Sequence, residues 1–420
     1  MRVVHINTHD NWGGAARAAY RLHKGLRLLN QDSFMLVAQR RSDDPYVTEA
    51  ARSKDVVPRF LRVARRYRLQ RAAARYAATR PPHAGFFSDD RSEYGADLAR
   101  QLPECDVVNL HWVAGLVDYS SFFRAAPVKN PLVWTLHGAN PFTGGCHYPG
   151  ACRRFNDGCG ACPELGSTID NDLSCAIWQR KKAAYSCIPD GRLHLVTPSQ
   201  WLAGEVRQSV LLGRFPVSVI PHGLDTGVFS PRNRVMAREA LDIPRDTRVV
   251  LFAAASIGEH RKGFTMLAEA LAPLPADAGI HLVSLGQSAP FPSIRLPNLS
   301  LGFIDNDRIL SLAYSAADLY ITPTLDEVWG NTVMESMSCG TPVVGFEVGG
   351  VPDMVRSGVS GFVVPKGDIG ALRQAVLRVL DDPALRTEMS QNCRRIAVEE
   401  YDLKLQAGRY LSLYQSITSN

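Results

Sequence analysis

Two α/β domains, each built on a doubly wound parallel sheet, are the fold this sequence predicts. Three observations carry that prediction. The chain opens as strand, glycine loop, helix, strand. Its second half alternates short apolar runs with helix-period segments. A Pro/Gly-rich stretch, Ile220-Pro221-His222-Gly223-Leu224-Asp225, ending near Pro231, lies between the halves as a hinge. A length of 420 residues is long for one core and suits two.

In chain order, Val3–Ile6 reads as a strand and Asn11-Trp12-Gly13-Gly14 as a loop. Ala15–Leu29 follows as a helix, with Ala16, Ala19, Tyr20, Leu22, Leu26 and Leu29 near a 3.6-residue period. Phe34–Ala38, Val107–Leu110, Leu132–Leu136 and Leu193–Thr197 are the further strands of this half. In the second half Val249–Ala253, His281–Leu285, Leu319–Thr322 and Pro342–Phe346 are strands. Thr265–Leu271, Ile309–Ser315 and Asn331–Ser338 are the helices between them. Runs such as Val249-Val250-Leu251-Phe252 suit a parallel sheet buried on both faces. Leu403–Ile417 is a last helix, set off by Glu400-Tyr401-Asp402. The expected domains are 1–222 and 223–402.

Hydrophobic residues at 45% and charged residues at 21% are ordinary for a soluble globular chain that buries sizeable cores. Met1–Asn7 is too short for a signal-peptide core or a membrane span, and no later stretch approaches twenty uninterrupted apolar residues. The expectation is a cytoplasmic protein without an integral anchor. The net charge is +6, but ten basic residues and one acid between Arg52 and Arg80 put +9 in that window, so the rest carries −3. A local basic surface therefore needs explaining.

The segment Thr322-Pro323-Thr324-Leu325-Asp326-Glu327-Val328-Trp329-Gly330-Asn331-Thr332-Val333-Met334-Glu335 runs from a strand end through an acid-bearing loop into a helix. Free N–H groups at such a helix start suit a phosphate or a sugar oxygen. Glu327 and Glu335 are too far apart for a glycosidase pair. Eight residues of helical rise span roughly 12 Å, against about 5–9.5 Å for paired glycosidase carboxylates. Two carboxylates at opposite ends of a nucleotide sugar fit better. From spacing alone, a loop acid and a helix-surface acid fit as well.

With its context, this run resembles the E-x7-E signature of retaining GT-B glycosyltransferases, in particular glycosyltransferase family 4 of bacterial polysaccharide biosynthesis. The context is Met337-Ser338-Cys339-Gly340-Thr341-Pro342-Val343-Val344, then Gly349-Gly350-Val351-Pro352, then Gly358-Val359-Ser360-Gly361-Phe362-Val363-Val364. The resemblance covers about residues 220–400 closely and the N-terminal half more loosely. It implies two Rossmann-like domains facing across a cleft, the first binding the acceptor and the second the donor. It also implies that the terminal helix, 403–420, returns to the first domain. Glu327 would then contact the donor sugar and Glu335 the ribose, with Gly330, Asn331 and Thr332 holding sugar or phosphate. The family often has Gly-Phe where this chain has Val328-Trp329, which leaves the sugar open.

The same resemblance places Lys262, in Ser256-Ile257-Gly258-Glu259-His260-Arg261-Lys262-Gly263, on the diphosphate. Fixed cations there stabilise the negative charge of a departing nucleoside diphosphate. A second family cation falls on Ser256, with Arg261 as the substitute. Gly13 and Gly14 would sit near donor phosphate and acceptor, and His137 in Thr135-Leu136-His137-Gly138 beside the reacting sugar. By the resemblance, Glu327, His137 and Lys262 are the catalytic candidates, and Gly13, Gly14, Arg261, Gly330, Asn331, Thr332 and Glu335 the donor-binding ones. The donor would be a UDP- or GDP-sugar, and catalysis would require no metal cofactor. The acceptor would be a saccharide, lipid-linked in this reading. A GT-B-type sugar-nucleotide epimerase and a non-catalytic sugar-nucleotide-binding regulator are the alternatives.

Two features stand outside that machinery. Cys146, Cys152, Cys159 and Cys162 lie in one Gly-rich loop with the spacing C-x5-C-x6-C-x2-C. Four thiolates can complete a structural zinc site, with His147 as a spare ligand; free or redox-labile thiols are the other reading. Val57, Phe60, Leu61, Ala64 and Tyr67 share a helical stripe ringed by arginines, with basic residues from Arg59 to Arg75. Such a helix can lie on an anionic membrane at the inner face of the cytoplasmic membrane, contact a lipid-linked diphosphate, or pack its stripe inward. Nucleic acid is not expected, because no nucleic-acid motif accompanies the basic run.

Overall fold

The computed structural model describes residues 1–52, 56–126, 130–287 and 294–419. Lys54 and Asp55 of the basic window, and the side chain of Val57, lie outside the described residues. The chain divides into two compact units: Met1–Pro221 together with the segment from Gln406 onward, and His222–Leu405.

Seven parallel strands form the sheet of the first unit. They are β1 (Arg2–His9), β2 (Asp32–Gln39), β3 (Val47–Glu49), β4 (Val107–Leu110), β5 (Leu132–Thr135), β6 (Leu193–Thr197) and β7 (Val217–Val219), in the order β3-β2-β1-β4-β5-β6-β7. The second unit has β8 (Arg248–Ser256), β9 (Ile280–Gln287), β10 (Asn298–Ser300), β11 (Leu319–Thr322), β12 (Val343–Phe346) and β13 (Gly361–Val364), also all parallel, in the order β10-β9-β8-β11-β12-β13. Both orders reverse direction once, beside β1 in one sheet and beside β8 in the other. The loops that follow the strands on either side of that reversal diverge and leave a crevice, which is where open parallel sheets bind ligands.

Alternation along β8 shows why such strands read as unbroken apolar runs. Val249 and Leu251 join one core, while Val250 and Phe252 join the core on the opposite face. The two shortest strands of the first sheet, β3 and β7, have three residues each and give too little pattern to read from sequence. The Leu173–Ser186 helix was also not legible as an element. Its start is set by Asp172, whose carboxylate accepts from the backbone N–H of Ser174 and Cys175.

The terminal helix, Leu403–Thr418, packs Tyr410 and Tyr414 into the core of the first unit beside Val3, Leu26, Val107 and Val133. Both phenols reach the sheet: Asn109 Nδ2 donates to Tyr414 Oη at 2.7 Å, and Thr135 Oγ1 lies 2.9 Å from Tyr410 Oη.

The basic segment is a helix, Val56–Ala74, but its apolar stripe does not pack inward. Phe60 is 71% exposed and Tyr67 61%, and Leu61 and Val63 are exposed too. No helix among the described residues is long and apolar enough to cross a membrane.

Candidate functional site

In the second unit, the loops after β8 and β11 flank the reversal point and are zipped together. Gly263 makes this possible. Its φ is +72°, and a Cβ there would lie 1.8 Å from the Pro323 carbonyl oxygen. That approach lets Leu325 N–H donate to Arg261 O at 2.8 Å, Thr324 Oγ1 donate to Arg261 O at 3.1 Å, and Arg261 Nη1 donate to Asp326 O at 2.7 Å. Gly349 braces the other side, with φ +53° and its missing Cβ 1.5 Å from the Glu327 carbonyl oxygen.

Held this way, Lys262 Nζ stands 2.7 Å from Glu327 Oε2 and Arg261 Nη1 stands 3.5 Å from the same oxygen. Burial alone would push the Glu327 carboxyl up. Lys262 first, then Arg261 and the Val328 N–H, pull it down to about 2. Glu327 is therefore an anion at neutral pH, and Arg261 is part of the cluster. Gly330, in the left-handed region at φ +91°, opens the Asn331–Ser338 helix. Thr332 Oγ1 accepts from Tyr320 Oη at 2.8 Å. Glu335, one turn into that helix, is buried and accepts from Tyr314 Oη at 3.1 Å, so it is not a surface acid. Val328 and Trp329 are also buried, and Trp329 packs edge-on against Tyr401 within the core.

The first unit carries the remaining candidates. Gly13, at φ +89°, precedes the Gly14–Leu28 helix, directly after β1. The loop before it is fixed by Asp10, which sequence reasoning missed. This fully buried carboxylate accepts from the N–H groups of Asn11, Arg41 and Ser42 at 2.9, 3.0 and 2.7 Å. Burial opposes its charge, yet those N–H groups hold its pKa below the ordinary value. An acid between a strand end and a Gly-Gly pair was the available signal. His137 lies just past β5, 9% exposed, and burial pushes its pKa down to about 3. It is neutral at pH 7. Its partner His111, on the loop after β4, was also missed.

The four loop cysteines do come together. Cys146, Cys152, Cys159 and Cys162 line one small cavity with Phe155 and Ser174. Gly144 N–H donates to Cys159 Sγ at 3.1 Å. All four are free thiols. Burial pushes Cys159 up to about 12 and raises Cys146 and Cys162 as well. Among the described residues, no group of three or more His, Cys, Asp or Glu is placed to hold a metal ion, so the closed thiolate set expected from spacing is not formed by these side chains. His147 is not a spare ligand there. Its ring stacks on Trp112 at 4.0 Å, its Nε2 lies 2.8 Å from Ser88 Oγ, and it lines a separate cavity with His111 and His137.

Residues 247–382 match the family model described as glycosyl transferases group 1. The D-inositol 3-phosphate glycosyltransferase of Mycolicibacterium smegmatis (strain ATCC 700084 / mc(2)155) is 33% identical over 194 residues, covering 42% of this chain and 43% of that protein. The protein of the same name from Mycobacterium bovis (strain BCG / Pasteur 1173P2) is 33% identical over 193 residues, covering 42% of this chain and 39% of it. The chain thus spans about two fifths of the length of these curated relatives. Among solved structures, sucrose-phosphate synthase from Thermosynechococcus elongatus aligns with a TM-score of 0.67 at 19% identity over all of both chains. Anabaena HepE in complex with UDP and glucose aligns with a TM-score of 0.67 at 16% identity, covering 99% of this chain and 100% of that one. The fold of this chain is therefore that of GT-B glycosyltransferase structures, two Rossmann-like domains on parallel sheets.

Proposed function

We propose that this protein is a retaining glycosyltransferase that moves a sugar from a nucleotide-sugar donor to a saccharide acceptor. The observation that carries the reading is the Lys262–Glu327–Arg261 cluster on the two loops that flank the reversal point of the second sheet. A cation pair and a charged carboxylate at that crevice suit a diphosphate joined to a sugar. The family match over residues 247–382, and the UDP and glucose named for the Anabaena neighbour, support the same ligand class.

In the proposed reaction the sugar C1–O bond to the diphosphate breaks with both electrons leaving on the phosphate. Lys262 and Arg261 receive that charge. The acceptor hydroxyl forms the new C1–O bond on the same face, and its proton passes to a departing phosphate oxygen. In the second unit Glu327 holds the donor sugar through hydrogen bonds, Glu335 the ribose, and the Gly330-Asn331-Thr332 loop admits phosphate and sugar oxygens; the first unit offers His137 and the Gly13-Gly14 loop as its own sugar- and phosphate-facing groups. No covalent intermediate is needed. In this reading the first unit takes the acceptor, lipid-linked and of the surface-polysaccharide type, and the exposed arginines and aromatics of the Val56–Ala74 helix face an anionic membrane.

The test is a thermal-stability screen of nucleotide sugars, followed by product analysis. A donor that binds the folded state raises the melting temperature. Lys262→Ala is expected to abolish that rise. If no nucleotide sugar stabilises the protein or is consumed, the reading fails. Consumption of donor without acceptor would favour an epimerase, and binding without any turnover a regulator.

A further inference from the structure

Three histidines on neighbouring strands of the first unit form one continuous chain. His5 lies within β1, His111 directly follows β4, and His137 lies just beyond β5; these strands are adjacent in the sheet. His5 Nδ1 is 2.9 Å from His111 Nε2, and His111 Nδ1 is 3.0 Å from His137 Nε2. Their rings are 0%, 3% and 9% exposed. Each N···N contact needs a proton on one nitrogen and a lone pair on the other. A neutral imidazole carries one N–H. In a chain of neutral rings, all three protons must therefore point the same way.

Only two arrangements satisfy this. In one, His5 Nδ1–H donates to His111 Nε2, His111 Nδ1–H donates to His137 Nε2, and the proton of His137 is on Nδ1. In the other, every proton is reversed and His5 carries its proton on Nε2. His5 Nε2 is buried and has no hydrogen-bond partner. The His23 ring lies edge-to-face to the His5 ring, with a centroid separation of 6.2 Å, and offers that atom no hydrogen bond. A proton on His5 Nε2 would be buried with no acceptor and forfeit a full hydrogen bond. Buried N–H groups without an acceptor are what folded proteins avoid. The first arrangement leaves a lone pair there instead. Burial lowers the pKa of His5 well below 6.5 and that of His137 to about 3, which keeps these two rings neutral.

We propose that His5 and His111 are positioning residues that lock His137 in its Nδ1–H tautomer, so that His137 meets an oxygen of its ligand as a hydrogen-bond donor and not as a base. The consequence for the ligand is chemical: the group facing His137 is an acceptor oxygen, such as a sugar hydroxyl lone pair. The inference rests on reading His137 as a ligand-facing residue, but the tautomer lock itself is a property of the apoprotein and is measured without substrate.

Long-range 1H–15N correlation spectra of protein labelled at histidine report which ring nitrogen carries the proton, and a His137→Gln sample identifies the His137 signals. The expected result is a protonated Nδ1 and an unprotonated Nε2 on His137, unchanged between about pH 6 and 8. In His111→Phe the lock is cut, and His137 is expected to show both tautomers. His111→Gln, whose amide N–H can still donate, is expected to restore Nδ1–H. With a donor in hand, His111→Phe should lower kcat by about tenfold or more at unchanged nucleotide affinity, with His111→Gln between it and the parent. A proton on Nε2 of His137 in the parent protein overturns the proposal, as does a His111→Phe spectrum in which His137 is unchanged. If His111→Phe does not fold, the parent spectrum decides. Absence of any nucleotide-sugar binding would instead remove the transferase reading and leave the tautomer result standing.

Discussion

At the scale of single residues, Lys262 and Glu327 define each other. Glu327 has a folded pKa of about 2 against an ordinary 4.5, so the pair stabilises the fold above pH 4.5. That contribution is lost as pH falls through the folded value, because the carboxyl then protonates in both states. Lys262→Met leaves Arg261 as the near cation and is expected to cost on the order of 1–3 kcal/mol at pH 7. The deficit should shrink as pH falls toward about 2, and urea titrations of both proteins across that range check it. On activity, Glu327→Gln is expected to lower kcat by about 10²-fold or more while nucleotide binding persists, since Glu335 and the helix start remain. Kinetics beside nucleotide titration separate the two. The candidates Glu327, Lys262 and His137 were marked by the family resemblance of the segments that follow three strand ends. His111 was not, since a histidine in an apolar setting carries no mark of its neighbours.

At the scale of elements, the two-loop clamp depends on glycines whose role is steric. Gly263→Ala would set a Cβ 1.8 Å from the Pro323 carbonyl oxygen at a φ of +72°. At least about 2 kcal/mol of destabilisation is expected, with loss of nucleotide binding exceeding that of a surface control. Denaturant midpoints and donor titrations read both effects. The terminal helix offers a second test. Tyr414→Phe removes the partner of the buried Asn109 amide, so a loss of about 1–3 kcal/mol is expected in thermal unfolding. That Leu403–Thr418 is a helix follows from its period. That its tyrosines are hydrogen-bonded to β4 and β5 does not, because the partners are some 300 residues earlier in the chain, the recorded separations being 305 and 275.

At the scale of the whole molecule, charge and apolar exposure coincide on one helix. Arg59, Arg66, Arg68 and Arg71 are exposed there beside Phe60, Leu61 and Tyr67, as is Arg75 just past the helix end. Apolar area and basic charge add in binding to anionic lipid, at about 1 kcal/mol per charge near the surface. Replacing Arg66, Arg68, Arg71 and Arg75 by Gln is expected to weaken binding to phosphatidylglycerol-containing vesicles at least tenfold, with donor binding unchanged. Co-sedimentation at low and high salt checks both the loss and its electrostatic origin. Unaltered vesicle binding would remove the membrane role while leaving the transferase reading in place.

Strand period and glycine loops determined by themselves the two-sheet α/β fold, and the family resemblance of the run from Glu327 to Glu335 and its context marked Lys262, Arg261 and Glu327 as candidates. These are local signals: an apolar run, a turn residue and an acid at a strand end are each written within a few positions. Tertiary structure alone decided which of them meet. The reversal of strand order beside β8 brings Lys262 against Glu327, and the adjacency of β1, β4 and β5 joins His5, His111 and His137. Parallel pairing separates neighbours in space by a whole crossover in sequence, so these contacts have no local trace. The cysteine loop marks the same boundary, since spacing brought four thiols to mind while the packed loop set their burial and turned His147 toward Trp112.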